Sequence, residues 1–325
     1  MNANNKSFYI LYRIYSNIKN FPYFYSLIVK ILNKIYLINN IRIQKRKYNC
    51  EIKQFNSFDT NISPVLLYQM GKVGSSSIEA TIKSENIGIP VLSAHHFHNK
   101  SIDSTKAHVK KAFPREIYSD FERNFFVFYK DKIVYDIIKK ILKHGRLSII
   151  SIVRDPVARN ISSYFQSIDR RFLNLNERLE DKSLTIDEII STFFKYEKHE
   201  LPLKWFDNEM NEIFGIDVFL NNFPKEKGYE IYKYENIDLM VLKLEMLSNC
   251  VSQAFDEFLN LSDVEILYNN VTANKPYSHL YDQFINSIHL PDSYLNQMYN
   301  SKFMKFFYSD TEIKNFRLKW NANSI

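Results

Sequence analysis

Short apolar runs bounded by glycine and proline alternate along the chain with longer stretches of mixed polarity that read as helices. Pro64-Val-Leu-Leu-Tyr-Gln-Met70 is such a run, opened by proline, and predicts a buried strand. A turn follows at Gly71-Lys72-Val73-Gly74, then a helix that begins with Ser75, Ser76 and Ser77, and Gly88 and Pro90 close the unit. Ile89–Ser93 predicts a second strand, running into His95, His96, Phe97 and His98. Leu147–Val153 is rich in β-branched residues and uncharged throughout, the clearest strand of the chain, and Arg154-Asp155-Pro156 leads from it into a helix over 157–168. Helices are predicted at about 186–199, 203–214, 237–248 and in stretches from 277 to 320, with one more strand at Tyr229–Tyr234. Strands alternating with helices predict an α/β fold: a parallel sheet covered on both faces, followed by a mostly helical C-terminal half. No internal repeat or linker interrupts it, so 54–325 reads as one domain behind an extension, 1–53.

Charge separates these two parts. The net charge of the chain is +7, but residues 1–53 hold ten Lys/Arg and one acid, and the remainder is close to neutral. A neutral body argues against a nucleic-acid binder, which would spread Lys and Arg over its folded face. Within the extension, residues 8–47 are aromatic and aliphatic but punctuated by cations, and the longest uncharged stretch in 8–43 is the ten residues Asn20–Val29. A spanning helix needs about 20 apolar residues, so this segment is too short to cross a bilayer. It is a candidate peripheral membrane contact, weighed against a plain arm that packs on the body or on a neighbouring subunit. Two cysteines, Cys50 and Cys250, cannot build a disulfide framework, and no run reads as a signal peptide. The expected location is therefore cytoplasmic, with the inner face of the membrane as the alternative the extension suggests.

The chain contains only six glycines, and two of them, Gly71 and Gly74, fall directly after the first strand. Glycines let backbone N–H groups turn inward, and the N-terminus of the following helix adds unpaired donors and the positive end of its dipole. Lys72 puts a cation at the same place. Such a strand–loop–helix is an anion cradle, although it departs from the G-x-x-x-x-G-K-[ST] nucleotide signature because Lys72 precedes the second glycine. Against it stands a tight turn with a solvated lysine. Arg154, closing the Leu147–Val153 strand, and Ser162, eight residues on, add a planar fork and a neutral donor suited to a second phosphate. A local ion pair capping the helix would account for Asp155 and Pro156 alone.

Gln69-Met-Gly-Lys-Val-Gly-Ser-Ser-Ser77 resembles the 5′-phosphosulfate loop of sulfotransferases that use 3′-phosphoadenosine 5′-phosphosulfate (PAPS), and Arg154-Asp-Pro-Val-Ala-Arg-Asn-Ile-Ser162 resembles their 3′-phosphate segment. Trp205-Phe-Asp-Asn-Glu-Met210, Phe214-Gly-Ile-Asp-Val218 and Asn274-Lys-Pro-Tyr-Ser278 are similar to a bacterial capsular polysaccharide synthesis family named for an Asn-Lys-Trp-Tyr-Ser motif; here Pro276 stands in place of the Trp. The resemblance implies a three-layer, P-loop-like sheet of the sulfotransferase type and a PAPS-dependent sulfotransferase acting on a carbohydrate of the cell surface or its precursor. It implies that Gly71, Lys72, Val73, Gly74, Ser75, Ser76 and Ser77 hold the 5′-phosphate, that Lys72 neutralises charge developing on the bridging oxygen, and that Arg154 and Ser162 hold the 3′-phosphate. No metal is expected, because the protein's own cations do the neutralising.

An acceptor hydroxyl needs a general base, and histidine is the first candidate. In an extended segment His96 and His98 share a face and His95 points the other way. His96 is the expected base, by its place in a His-hydrophobe pair, with His98 second and Glu79 a carboxylate alternative. Asp207 and Glu209 are candidate acceptor contacts, weighed against capping or ion-pair roles. Two competing readings remain: a P-loop-like kinase or nucleotide-binding enzyme with Asp155 as a magnesium ligand, and a non-catalytic polysaccharide-assembly protein. The oligomeric state is not legible.

Overall fold

The computed structural model describes residues 64–85, 88–112, 120–172, 175–268 and 277–321. By its internal contacts the chain divides into Met1–Phe58 and Asp59–Ile325. The extension 1–53, with the candidate membrane contact at 8–47 and Cys50, lies outside the described residues, as do Asn274, Lys275 and Pro276.

Five strands form one sheet in the order β2-β1-β3-β5-β4. They are β1 (Val65–Tyr68), β2 (Val91–Ala94), β3 (Leu147–Val153), β4 (Tyr229–Lys233) and β5 (Ile237–Lys243). All neighbours pair in parallel except β4, which runs antiparallel on β5 at the edge. Every residue of β1 is buried; because successive side chains point to opposite faces, both faces of the sheet are covered there. The fold is thus mixed α/β, a mostly parallel sheet flanked by helices. Among the described residues no helix is long and apolar enough to cross a membrane.

Three sequence expectations carry over almost unchanged: β1, β3 and the strand at 229–233 stand where the apolar runs placed them. The expected helix at 237–248 does not. Residues 237–243 are β5, paired along its whole length with β3 from Leu147↔Ile237 to Val153↔Lys243, and the helix starts only at Leu247. The cause is the doubly buried environment. Ile-Asp-Leu-Met-Val-Leu-Lys lies between β3 and β4 with nearly every side chain buried, and such a run carries no alternation to separate strand from helix.

The helices that matter for the site are α1 (Ser75–Ser84), α2 (Asn99–Ala112), α3 (Asp120–Ile141), α4 (Pro156–Phe165) and α5 (Ile186–Tyr196). A helix then begins at Leu201 and passes at Phe206–Asn211 into a stretch of π-helix. After β1 the chain turns to β2 on one side and later to β3 on the other, so the order reverses between β1 and β3. In open parallel sheets the crevice outside the strand carboxyl ends at such a reversal is where ligands bind. The loops that leave β1 and β3 there are Gln69–Gly74 and Arg154–Asp155.

The floor of that crevice is tied down from behind. Asp155 caps α4 by accepting from Val157 N–H, and Tyr299 Oη and Trp320 Nε1 donate to its two oxygens, each at 2.9 Å. Glu245, just beyond β5, accepts from Asp155 N–H at 2.7 Å and from Tyr308 Oη at 3.0 Å. Lys243, fully buried, reaches Glu312 and the Lys225 carbonyl. The C-terminal helices thereby lock the end of β3, and buried polar groups are satisfied in the way their desolvation demands.

Candidate functional site

The β1–α1 loop has in part the conformation its glycines suggested. Of its two glycines only Gly74 is left-handed, at φ +91°; Gly71 is not, and Lys72 takes such a conformation instead, at φ +75°, a strain of about 1 kcal/mol or more that tends to gather at functional loops. A Cβ at Gly74 would stand 2.6 Å from the tip of the Leu244 side chain, which would have to move; the left-handed backbone is what favours glycine there. Gly74 caps α1 with its carbonyl, which accepts from Ser77 N–H at 3.0 Å. Ser75 is half-buried, Ser76 exposed, and Ser77 and Val73 buried.

Two arginines grip this loop. Arg154 Nη1 donates to the Lys72 carbonyl at 2.9 Å, and Arg159 Nε donates to the Gly71 carbonyl at 3.0 Å. The structure therefore brings the two sequence segments together, and Arg159, for which no role was expected, is as close to the loop as Arg154. Ser162 lies half-buried on α4, two turns beyond Arg154. Arg159 and Arg171 share one buried carboxylate, Glu197, at 3.6 and 2.8 Å. Burial pushes the Arg159 pKa down, with Glu197 opposing. Gln69, at the carboxyl end of β1, is fully buried, and both polar atoms of its amide lack a hydrogen-bond partner among the described residues. Such orphaned groups cost about 1–3 kcal/mol each and mark a place suited to a polar ligand.

The histidine segment is held by an arrangement that spacing could not reveal. His95 and His96 N–H groups donate to Asp131 Oδ2 of α3 at 3.3 and 2.9 Å. Phe97 and His98 N–H donate to Glu209 Oε2 of the π-helix at 2.9 and 3.0 Å. Four consecutive amides thus end on two buried carboxylates. The Tyr68 hydroxyl makes a short hydrogen bond to the same Glu209 oxygen. Burial alone would raise the Glu209 pKa, but hydrogen bonds from His96, Ser101 and Tyr68 outweigh it and keep the carboxyl below its usual range.

The chain leaves the strand at Ala94, so the face-sharing expected for an extended segment does not apply, and each ring has its own surroundings. His95 turns to the cradle: its Nδ1 lies 2.9 Å from the Gln69 carbonyl, and its Nε2 would be 3.8 Å from a Cβ on Gly71. A carbonyl only accepts, so Nδ1 carries the proton and Nε2 the lone pair. His96 has Nδ1 3.3 Å from Glu209 Oε1 and lines a cleft of about 450 Å³ together with Trp205 and Lys198. His98 Nε2 stands 4.0 Å from Glu212. Glu79 is spent on an i,i+4 ion pair with Lys83 at 2.6 Å on the surface of α1. Asp207 faces Lys302 at 3.9 Å on the outside. Trp205 and Phe206 are core residues, and the Trp205 indole donates to the His95 carbonyl at 3.0 Å.

His95 also sets a pH dependence. Burial, then the neighbouring His96, push its pKa from 6.5 down to about 4. A depressed histidine pKa contributes stability that is full above pH 6.5 and is lost as pH falls toward 4, because the unfolded chain takes the proton first. Asp131, raised by burial from 3.8 to about 6, acts in the opposite sense: its contribution is full below pH 3.8 and is lost as pH rises through 6. In denaturant titrations between pH 6.5 and 4, His95→Gln is expected to make the acid loss of stability shallower by up to about 3 kcal/mol. An unchanged slope would remove the buried neutral imidazole from the account.

Residues 177–309 match the family described as "Putative capsular polysaccharide synthesis protein". That span is about two-fifths of the chain; it includes Glu209 and Lys198 but begins after the cradle and the Arg154 segment. Neither the curated proteins nor the solved structures compared with the chain gave a match.

Proposed function

We propose that the chain is a sulfotransferase that moves a sulfuryl group from PAPS to a hydroxyl of a capsular or other cell-surface carbohydrate, in a three-layer, P-loop-like fold of the sulfotransferase type. The observation that carries the reading is the meeting of a glycine-turned loop with Arg154 and Arg159 at the reversal point of a parallel sheet. Three observations support an anionic nucleotide there: Gly74 carries the left-handed turn, two arginines hold the loop in place, and the buried Gln69 amide at the end of β1 has both polar atoms unpaired. PAPS, when bound, supplies the activated sulfuryl group.

In this reading the Gly71–Ser77 backbone and the hydroxyls of Ser75, Ser76 and Ser77 hold the 5′-phosphate, with Lys72 as the cation beside it. Arg154 and Ser162 hold the 3′-phosphate. His96 takes the proton of the acceptor hydroxyl at Nε2 while Glu209 holds Nδ1–H, the arrangement by which a carboxylate fixes an imidazole tautomer. Lys72, Arg154 and Arg159 provide the charge neutralisation that loose group-transfer transition states require. The kinase alternative needs Asp155 as a magnesium ligand, and its two oxygens are already taken by Val157 N–H, Tyr299 and Trp320. A cytoplasmic place at the inner membrane face, with residues 8–47 touching lipid, belongs to the same proposal.

The reading is tested by Arg154→Ala. Adenosine 3′,5′-bisphosphate (PAP) is expected to bind the variant more weakly by about 1.5–3 kcal/mol, the worth of a charged hydrogen-bonded contact, while adenosine 5′-phosphate loses little. Equal loss for both nucleotides in calorimetry contradicts a 3′-phosphate site.

A further inference from the structure

The cleft that His96 lines holds more positive charge than its own carboxylates neutralise. Its cations are Lys100, Lys198 and Lys204, and its carboxylates Glu200 and Glu209. Lys204 and Glu200 pair with each other in an i,i+4 contact. Glu209 is consumed by Tyr68, His96 and the Phe97 and His98 amides. The nearest further carboxylate, Glu197, is shared by Arg159 and Arg171. That leaves Lys198, whose ammonium donates only to the neutral Thr105 hydroxyl at 2.9 Å, and the exposed Lys100, with no ion pair among the described residues.

Resting on the sulfotransferase reading, we propose that this cleft is the acceptor site and that it selects an acidic carbohydrate, one whose sugar carries a carboxylate within reach of Lys198 and Lys100. The two lysines lie on the wall that His96 completes, so an acid group on the sugar would orient one hydroxyl toward the imidazole. The Ser104 hydroxyl, which lines the same cleft, suits a further sugar oxygen, and a volume of about 450 Å³ lies within the range of small-ligand sites. Burial, then the charge of Arg159, lower the Lys198 pKa from 10.5 to about 8; a bound carboxylate offsets both costs. A neutral glycan would leave that ammonium with only Glu197, already shared by two arginines, to offset its desolvation.

The test is calorimetric binding of a hexuronate-containing oligosaccharide and of the same oligosaccharide after carboxyl reduction, to the full chain, with and without PAP. The acidic form is expected to bind at least about tenfold more tightly at low salt, with the preference shrinking as salt rises. Lys198→Gln and the exposed Lys100→Gln are each expected to cut the preference several-fold while PAP affinity stays as in the parent. Equal or tighter binding of the reduced form overturns the proposal, and so does failure of both forms to bind while PAP still binds. A Lys198→Gln variant that weakens PAP as much as the glycan assigns the lysine to the donor site and overturns it as well. Failure of PAP to bind, with selective acidic-glycan binding intact, would instead count against the sulfotransferase reading and leave the cleft's preference standing.

Discussion

His96→Ala is expected to fold normally and to lower the rate of sulfuryl transfer by about 10²- to 10⁴-fold, the usual worth of a positioned general base, with little change in donor affinity. The expectation rests on geometry: the ring lines the acceptor cleft, and its Nδ1 faces a carboxylate that cannot leave. Glu209→Gln sharpens the test. Glutamine can still accept from the Phe97 and His98 amides, so the segment keeps its path, but it no longer carries the charge that favours an imidazolium at His96. That variant is expected to lose rate mainly in kcat, with a protein whose melting curve still shows one cooperative transition. Full activity in His96→Ala alongside loss in His98→Ala would move the base to the ring that stands by Glu212.

Lys72→Ala is expected to cost about 10²- to 10³-fold in transfer rate, comparable to removal of a preorganised charge-stabilising donor. Its backbone makes the control unusual. Lys72 sits at φ +75°, a conformation about as strained for alanine as for lysine, so Lys72→Ala should leave stability nearly unchanged. Lys72→Gly relieves that strain and is expected to be the more stable of the two by about 1 kcal/mol while being equally inactive. If both variants keep full turnover, the cradle lysine has no part in the chemistry.

Much of the fold was legible because its central strands are short, apolar and closed by glycine, proline or arginine. Leu147–Val153 needed no tertiary information, since five aliphatic residues, four of them β-branched, in an uncharged run of seven fit a strand buried on both faces. Ile237–Lys243 has nearly the same character, but Asp238 and the helical run that follows hid it, and its strand state is fixed by pairing with β3 and β4. The cradle was legible because scarce glycines fell directly after a strand. The partners of the histidines were not. Asp131 and Glu209 come from α3 and the π-helix, 36 and 111 residues from the backbone groups they bind, and a carboxylate on a helix reads as a solvated charge until the fold buries it. Arg159 escaped for a related reason: it stands inside a helix, where nothing in the local pattern tells that its guanidinium turns back to Gly71.

The central claim, a cradle and an arginine that together hold a nucleotide with both 5′- and 3′-phosphates, is tested most directly by calorimetric titration of the purified chain with PAP in the absence of magnesium, beside ATP and adenosine 5′-phosphate. The account predicts that PAP binds tightly, that adenosine 5′-phosphate binds at least about tenfold more weakly for want of the contacts to Arg154 and Ser162, and that magnesium changes neither. Absence of PAP binding together with magnesium-dependent binding of ATP would contradict it.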